Sequence, residues 1–507
     1  MTYLQSGGME ENNDNNAPVR RRFRKRWIVW ALVGVWIAVA AWNATKPMPA
    51  GTDVQAAPIA VDAANVQFLV DLTYNDPQGK LLHEQQIFDE VFRMVDNAES
   101  FIVADFFLFN DFMGGTEAPH RALSREFATK LIERRTARPG LQVLLITDPI
   151  NDVYGSTGAA LLAELRAAGI NVVMTDLTRL RDPNPAYSAL WRAFGRWWSG
   201  PVGKGSLPNP FDTEPSHIDL SSWLALLNFK ANHRKLIVTD REDGELLALV
   251  TSANPHDASS AHSNVALRFS GEPALKIIES ELGVARFSGW QGHILASAAA
   301  TQPVAPENTV QLSFLTEEAI REHLLQTIGA TRNGDAVRIA TFYLADRKVV
   351  AALLAAAGRG VTVQLVLDPN RDAFGRQKDG VPNRPVASEL VRESGERIQV
   401  RWYRTHGEQF HTKLAMVTIG DRLVASLGSA NLTRRNIGNY NLEANVAVEM
   451  NRTSPLAGQM LAYFERLWTN QGPPGTEYTA DFGVYRDTDN SRYWRYRLME
   501  ATGLSTF

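Results

Sequence analysis

The chain has 507 residues, 45% of them hydrophobic and 21% charged, which is typical of a globular protein with more than one domain. It contains no cysteine, which excludes disulfides and thiolate metal sites. Residues 1–26 carry six of the 52 basic and three of the 55 acidic residues, so the remainder has a net charge of −6. This negative charge on residues 27–507, whose part after the apolar run is called the body below, disfavours a polyanion such as nucleic acid as the partner.

The first sixty residues predict a membrane anchor. A polar tail ends in RRRFRKR (residues 20–26) and is followed by sixteen uncharged residues, WIVWALVGVWIAVAAW (27–42). As a helix this run is about 24 Å long, and its flanking arginines and tryptophans suit a membrane interface. We interpret residues 27–45 as an uncleaved transmembrane anchor, with a cleaved signal peptide as the alternative. Either way, the basic tail 1–26 stays in the cytoplasm and the body lies on the extracytoplasmic side; residues 46–62 are predicted to be a linker.

The body repeats itself. FIVADFFLF, around Ala104, resembles VRIATFYLA, around Ala340, and LQVLLITDPINDVYG (141–155) resembles VTVQLVLDPNRDAFG (361–375). Strand patterns that alternate with helical patterns indicate α/β units. The predicted fold is therefore α/β, with two sandwich domains related by a pseudo-twofold axis. Their predicted bounds are 63–303 and 304–475, with an aromatic and basic tail over 476–507.

The first half contains an insertion with a helical pattern, YSALWRAFGRWW (187–198). Its large apolar side chains fall on one helical face. The pattern predicts either a helix packed on the core or an interfacial helix that seats the domain on a bilayer. The residues of this face are Tyr187, Leu190, Trp191, Phe194, Trp197 and Trp198.

A small polar cluster occurs twice, in NHRKLIVTD (232–240) and in FHTKLAMVTIGD (410–421). In each copy a His-x-Lys opens an apolar strand, and a second strand returns to TSAN (251–254) or GSAN (428–431). Each predicted hairpin places a serine and an asparagine beside the histidine and lysine. The pseudo-twofold then brings both sets to one site. The candidate site residues are His233, Lys235, Ser252 and Asn254 in the first half, and His411, Lys413, Ser429 and Asn431 in the second.

This set suits the cleavage of a phosphodiester. The lysines and asparagines can stabilise the charge of the transition state. One histidine can attack phosphorus to form a phosphohistidine, and the other can protonate the leaving alcohol. The chemistry requires neither a metal nor a cofactor.

The doubled His-x-Lys motif, each copy followed by Ser-x-Asn, resembles the phospholipase D superfamily over about residues 66–470. The resemblance implies that the eight residues share one active site and that His233 is the nucleophile. It also implies a carboxylate that orients each histidine: Glu443 for the second half. His262 stands at the matching place in the first half, so Asp257 and His262 are the candidate partners of His233.

The two copies differ at one position, where Asp240 in the first is replaced by Thr418 in the second. This position lies at odd spacing along the strand from the histidine, so its side chain points to the opposite face. We therefore predict a structural role for Asp240 and treat Thr418 as a tolerated departure.

Three function classes remain open. The first is a membrane-anchored phospholipase D or phosphatidyl transferase, like cardiolipin synthase, whose partners are a phospholipid substrate and the membrane surface. The second is an extracytoplasmic nuclease, against which the net charge weighs. The third is an inactive scaffold, suggested by Thr418 and by the missing first-half carboxylate. The favoured class is the first.

Overall fold

A computed structural model describes residues 17–115, 120–195, 205–211, 217–294, 296, 309–373, 376–473, 475–505 and 507, with side chains from Arg26 onward. Helix α1 (Ala17–Thr45) contains the apolar run, and its stretch Arg26–Thr45 is long and apolar enough to cross a membrane. Strand β1 (Ile59–Asp62) follows after an irregular segment over residues 46–58. It pairs antiparallel with Thr309–Leu312, so part of the predicted linker forms an edge of the sheet in the second half.

The first half forms a mixed sheet that has eight strands in the described part of the chain. Its strands, with one small separate ribbon (β7, β8), are β2 (Val66–Asn75), β3 (Leu81–Glu84), β4 (Phe101–Phe106), β5 (Gln142–Thr147), β6 (Asn171–Met174), β7 (Leu207–Pro208), β8 (His217–Ile218), β9 (Lys235–Asp240), β10 (Leu246–Thr251) and β11 (Asn264–Ser270). The helices are α2 (Ile87–Asn97), α3 (Leu123–Ala137), α4 (Ala160–Ala167), α5 (Pro185–Ala193), α6 (Leu220–Leu226) and α7 (Pro273–Phe287). The strand order is β3-β2-β11-β10-β9-β4-β5-β6.

The second half repeats this plan around a sheet in which nine strands are described, β1 included. Its own strands, with one small ribbon (β15, β16), are β12 (Thr309–Thr316), β13 (Ala336–Thr341), β14 (Thr362–Leu367), β15 (Asp372–Ala373), β16 (Arg376–Gln377), β17 (Ile398–Tyr403), β18 (Lys413–Ile419), β19 (Arg422–Gly428), β20 (Ala444–Asn451) and β21 (Thr479–Asp481). The helices are α8 (Glu317–Gly329), α9 (Arg347–Gly358), α10 (Asn383–Glu393), α11 (Pro455–Thr469) and α12 (Asn490–Thr502). The order is β1-β12-β20-β19-β18-β13-β14-β17-β21.

The two sheets pack face to face over a shared core. In β4, Phe101 and Val103 point into this core, whereas Ile102 and Ala104 point to the outer face, which α2, α3 and α4 cover. Burial on both faces explains why the strands are continuous apolar runs. The fold predicted from the sequence, two related α/β domains preceded by an apolar helix, is confirmed.

The strand register corrects the alignment of the two repeats. Lys235 lies opposite Phe106, and Lys413 lies opposite Thr341. Ala104 therefore corresponds to Ile339, one residue away from the Ala340 that matching letters suggest. Alanine is small enough for either face of a doubly covered strand, so its letter alone does not determine the register.

The insertion forms a shorter helix than its pattern predicts. α5 ends at Ala193, and Trp197 and Trp198 lie outside the described residues. Leu190 and Phe194 are 49% and 64% exposed, so these two side chains do not pack in a core. The helix instead lies beside α1, where the indole N–H of Trp36 donates to the Ala186 carbonyl at 3.0 Å.

Candidate active site

Two short backbone bridges join the halves at the centre of the molecule. Asn232 pairs in parallel with Leu442, and Phe410 pairs in parallel with Ser263. The His233 N–H donates to the Leu442 carbonyl at 2.8 Å. Each bridge thus sets the residue before one motif histidine beside the start of the opposite half's β11 or β20.

The first bridge brings Glu443 to the histidine of the other half. The Nδ1 atom of His233 lies 2.9 Å from Glu443 Oε1, and both side chains are buried. Ser429 and Asn436 also donate to this carboxylate. With Nδ1–H donated to Glu443, the neutral His233 ring has its lone pair on Nε2.

The second bridge gives His411 a different partner. Its Nδ1 lies 3.1 Å from Asn264 Oδ1, which also accepts from the Ser252 hydroxyl at 2.9 Å. Ser252 N donates to Val265 O, just as Ser429 N donates to Ala444 O. Asn264 therefore occupies the place of Glu443, so one histidine has a carboxylate partner and the other an amide.

The orienting partners inferred from the family resemblance are wrong in two respects. Glu443 contacts His233 of the first half, because the bridges cross between the halves. Neither Asp257 nor His262 orients His233: Asp257 caps α3 by accepting from Ser124 N at 2.9 Å. The His262 ring lies 5.8 Å from that of His411, and its Nδ1 accepts from Gln409 N.

The two motif lysines have matching surroundings. Lys235 Nζ donates to His233 O at 2.7 Å, and Lys413 Nζ donates to His411 O at 2.8 Å. Each ammonium lies over a phenylalanine, Phe107 or Phe342, at 5.1 and 5.5 Å from the ring centroid. Burial lowers the pKa of Lys235 to about 7 and that of Lys413 well below its usual range.

The same phenylalanines flank the histidines, with ring centroids 4.8 Å apart for Phe107 and His233 and 5.2 Å for Phe342 and His411. Burial, and then the nearby lysines, hold the pKa of both histidines well below the usual value. The unprotonated imidazoles offer a nucleophile, and the adjacent lysines offer N–H donors to an anion.

The motif serines and asparagines fall into separate roles. The hydroxyls of Ser252 and Ser429 support the orienting residues Asn264 and Glu443, so they are engaged within the protein. Asn254 Oδ1 accepts from Leu108 N at 3.1 Å, which ties TSAN to the end of β4. Asn431 is 5% exposed, and its Oδ1 has no hydrogen-bond partner among the described residues.

Two buried aspartates from the repeat position the strands that enter the site. Asp148 Oδ2 accepts from Asn232 N at 2.7 Å, and Asp368 Oδ2 accepts from Phe410 N at 2.8 Å. Each thus fixes the residue before a motif histidine. Burial raises the pKa of both aspartates to about 7.

Asp240 lies far from the histidines. Its carboxylate accepts from the backbone N–H groups of residues 99–101, where β4 begins. At the equivalent turn of the second half, Thr418 lies opposite Ala336, and Asp335 accepts from Gly420 N at 3.0 Å. A neighbouring aspartate thus binds this turn where the second motif has no aspartate of its own.

The motif residue Arg234 forms a fully buried ion cluster behind the site. Its guanidinium contacts Glu281 and Glu317, each at 2.8 Å. Glu317 Oε1 also accepts from Glu443 N at 2.9 Å, and its Oε2 accepts from Asp53 N at 2.6 Å. The segment after α1 is thereby linked through Glu317 to the partner of His233.

Sequence reasoning missed Phe107, Phe342, Asn264 and Glu317. The two phenylalanines follow β4 and β13 directly, so the correct register of those strands is the signal that would have identified them. Glu317 had no such signal, because it reaches the site only through the packing of the two halves. Among the described residues, no group of three His, Asp or Glu is arranged to hold a metal ion.

The duplicated scaffold thus brings one His-Lys motif from each half to the bridges between the halves. Residues 324–468 match the family model described as "Cardiolipin synthase, PLD-like domain", where PLD denotes phospholipase D. This match to the second half confirms the resemblance to the phospholipase D superfamily.

The fold is similar to that of phosphatidylserine synthase from Haemophilus influenzae Rd KW20, with a TM-score of 0.51 and 12% identity over 92% of this chain and 96% of that one. Polyphosphate kinase from Porphyromonas gingivalis aligns with a TM-score of 0.43 and 13% identity over 82% and 52% of the two chains. The phospholipase D family member Nuc from Salmonella typhimurium aligns with a TM-score of 0.25 and 21% identity, over 35% of this chain and 99% of that one. No curated protein sequence matches the chain.

Proposed function

We propose that the protein is a membrane-anchored phosphatidyl transferase or phospholipase D, similar to cardiolipin synthase. It cleaves a phospholipid phosphodiester through a phosphohistidine. The observation that carries this proposal is the pair of buried histidines, each held at Nδ1 by the other half and each flanked by a lysine. Such a site can approach one phosphorus atom from two sides.

The reaction follows from these positions. Nε2 of His233 attacks phosphorus, the P–N bond forms, and the bond from phosphorus to the alcohol oxygen breaks. His411 takes up a proton when the anionic phosphodiester binds beside it, because a nearby negative charge raises its pKa, and it gives that proton to the leaving oxygen. The acceptor, water or an alcohol such as glycerol or phosphatidylglycerol, then gives its proton to His411, and its oxygen displaces His233 from phosphorus. Lys235, Lys413, Asn254 and Asn431 stabilise the charge on the phosphoryl oxygens.

The assignment of His233 as nucleophile rests on its partner. A carboxylate at Nδ1 stabilises the positive charge that develops on the ring as the P–N bond forms. Glu443 supplies that carboxyl group, and the donors Ser429 and Asn436 favour its charged form. The neutral amide of Asn264 stabilises a charged His411 less, which favours release of its proton to the leaving group.

The lipid substrate is supported by the way α1 is attached. Asn43 O accepts from Asp182 N at 2.9 Å, Lys46 O accepts from Arg181 Nε at 2.8 Å, and Lys46 Nζ donates to Thr178 O at 2.7 Å. The end of the anchor is therefore fastened to the catalytic body. We infer that α1 spans the membrane with the body on the extracytoplasmic side, because the basic cluster precedes it.

The α1–α5 contact supports a body seated on the bilayer. Trp36 lies six residues before Trp42, which corresponds to about 9 Å along a helix. An interfacial helix enters the headgroup and acyl boundary by roughly 5–10 Å. Because α5 contacts Trp36, its exposed side chains Leu190 and Phe194 would lie within this boundary region of the bilayer.

Incubation of the full chain with vesicles of mixed phospholipids, and separately with single- and double-stranded DNA, tests the function. Mass spectrometry of the products is expected to show phosphatidic acid or a transphosphatidylation product, and intact DNA. A His411→Asn variant provides the control for contaminating activity. DNA cleavage without lipid turnover would contradict the proposal and would indicate that the protein is a nuclease.

A further inference from the structure

A polar cavity lies at the end of the anchor helix, apart from the two motif histidines. It has a volume of about 290 Å³, near the lower end of the roughly 300–1,000 Å³ typical of ligand pockets. Ala44 and Thr45, the last residues of the apolar helix, form one wall. The charged residues that line it are Arg181, Arg321, Arg434 and Glu318.

The lining carries an excess of positive charge. Glu318 accepts from Arg321 and, at 2.9 Å, from Asn439 Nδ2, so its carboxylate is already engaged. Among the described residues, no side-chain carboxylate lies within ion-pair distance of the guanidinium of Arg181 or Arg434. Arg434 instead donates to Tyr440 OH at 2.7 Å, and Arg181 donates to Lys46 O.

Arg321 is paired with carboxylates of the protein. The residue is only 7% exposed, yet its Nε has no hydrogen-bond partner among the described residues. The nearest oxygen in an ion pair with Nε belongs to Glu322, at 3.8 Å, which is beyond hydrogen-bond distance. That N–H is enclosed by protein, and Glu318 and Asp346, the latter at 3.7 Å, balance the charge of Arg321. The guanidinium groups left for a ligand are therefore those of Arg181 and Arg434.

We propose that this cavity binds the phosphate of an anionic phospholipid whose acyl chains lie along α1. Planar guanidinium groups match a phosphate ester in both charge and geometry. The position favours a lipid, because Ala44 and Thr45 mark the level at which the candidate span ends and phosphate groups of the bilayer begin. The proposal shares the membrane placement of α1 with the proposed function but is independent of the histidine chemistry.

The test is lipid binding by the full chain in a neutral detergent, measured by native mass spectrometry. The probes are dihexanoyl phosphatidylglycerol, dihexanoyl phosphatidylcholine and inorganic phosphate. We expect the wild type to hold one phosphatidylglycerol that the Arg181→Gln/Arg434→Gln variant loses, with affinity lower by about tenfold or more for two charge-assisted contacts. Glu318→Gln removes the negative charge and is expected to bind the same lipid more tightly.

Controls separate this site from the active site and from misfolding. Arg179→Gln, whose arginine is 64% exposed and pairs with Asp176 at 3.5 Å, is expected to bind like the wild type. Turnover of a soluble phosphodiester by the double variant is expected to stay within about twofold of the wild type, because the motif histidines are untouched. Loss of lipid binding with retained turnover supports the site, whatever the natural substrate is.

Three results would overturn the proposal. The first is wild-type affinity in the Arg181→Gln/Arg434→Gln variant. The second is equal binding of phosphatidylcholine, which would show that the anionic charge is not recognised. The third is displacement of the lipid by low concentrations of inorganic phosphate, which would assign the cavity to free phosphate instead.

Discussion

His233 and Glu443, which lie 210 residues apart in the chain, meet across the two halves with Nδ1 and Oε1 at 2.9 Å. This contact makes the site dependent on the docking of both halves, since neither half contains a histidine together with its own carboxylate. It also makes the two histidines unequal, because His411 has Asn264 as its partner.

Replacing Glu443 by Gln is expected to lower turnover by about 10²–10⁴-fold, because an amide can bind Nδ1 in the wrong tautomer. Thermal denaturation is expected to show a folded protein. Glu449→Gln provides a matched control, because Glu449 belongs to the same β20 and pairs with Arg422 at the surface. Unchanged turnover in Glu443→Gln would show that this contact does not orient a reacting histidine.

Replacing Asn264 by Asp places a carboxylate on His411 and is expected to raise the pKa of that histidine. The pH dependence of kcat reports the role of His411. If His411 is the acid, the alkaline limb moves to higher pH; if it is the nucleophile, the acid limb moves instead. A profile with neither limb shifted would contradict a direct role for His411.

Asp148 links its ionisation to stability. Its folded pKa is about 7, raised by burial from 3.8, so the stabilisation from the protonated form is fully present below about pH 3.8 and is lost as the pH rises through 7. The melting temperature of the wild type, relative to Asp148→Asn, is therefore expected to fall between pH 4 and pH 8. A flat difference for Asp148→Asn would refute the linkage.

The sequence predicted the fold and the proximity of the motif residues within each half. Each His-x-Lys opens a strand whose hairpin partner ends in Ser-x-Asn, so the pattern itself indicates which residues lie side by side. The cross-half pairing could not be predicted, because it depends on how Leu442 and Ser263 dock on the opposite half. Sequence similarity also gave a wrong alignment of the two halves here. Asn264 and Asn445 both precede a valine and would be aligned with each other. The serine hydrogen bonds show instead that Asn264 is equivalent to Glu443, which lies two residues before Asn445.

Thr418→Asp is expected to leave turnover within several-fold of the wild type, because Thr418 lies at the far end of β18. The new carboxylate would lie near Asp335, so a small loss of thermal stability is expected. Asp240→Asn is expected to destabilise the protein more, since Asp240 accepts three backbone N–H groups. A gain in turnover of orders of magnitude in Thr418→Asp would show that Thr418 impairs catalysis in the natural protein, and would support the function class of an inactive scaffold.

Seating on the bilayer predicts that α5 matters only for aggregated lipid. Leu190→Ser/Phe194→Ser is expected to reduce turnover of phospholipid vesicles well below wild type, and to leave turnover of a soluble short-chain phosphodiester near normal. Val484→Ser, at a residue that is 58% exposed, is the matched control. The same expectation applies to Trp197 and Trp198. Equal turnover on vesicles would refute the seating, whereas parallel loss on both substrates with a lower melting temperature would indicate a core helix.

The central claim is that two histidines from different halves act on one phosphorus through a covalent intermediate. Alanine at His233 or His411 is expected to lower turnover about 10³-fold or more. The most direct measurement is mass spectrometry of an alkaline-quenched reaction of His411→Asn with a p-nitrophenyl phosphodiester, whose leaving group needs no acid. The account predicts a phosphoryl adduct on His233. An adduct on His411 in His233→Asn, or full activity in either single variant on phospholipid, would contradict it.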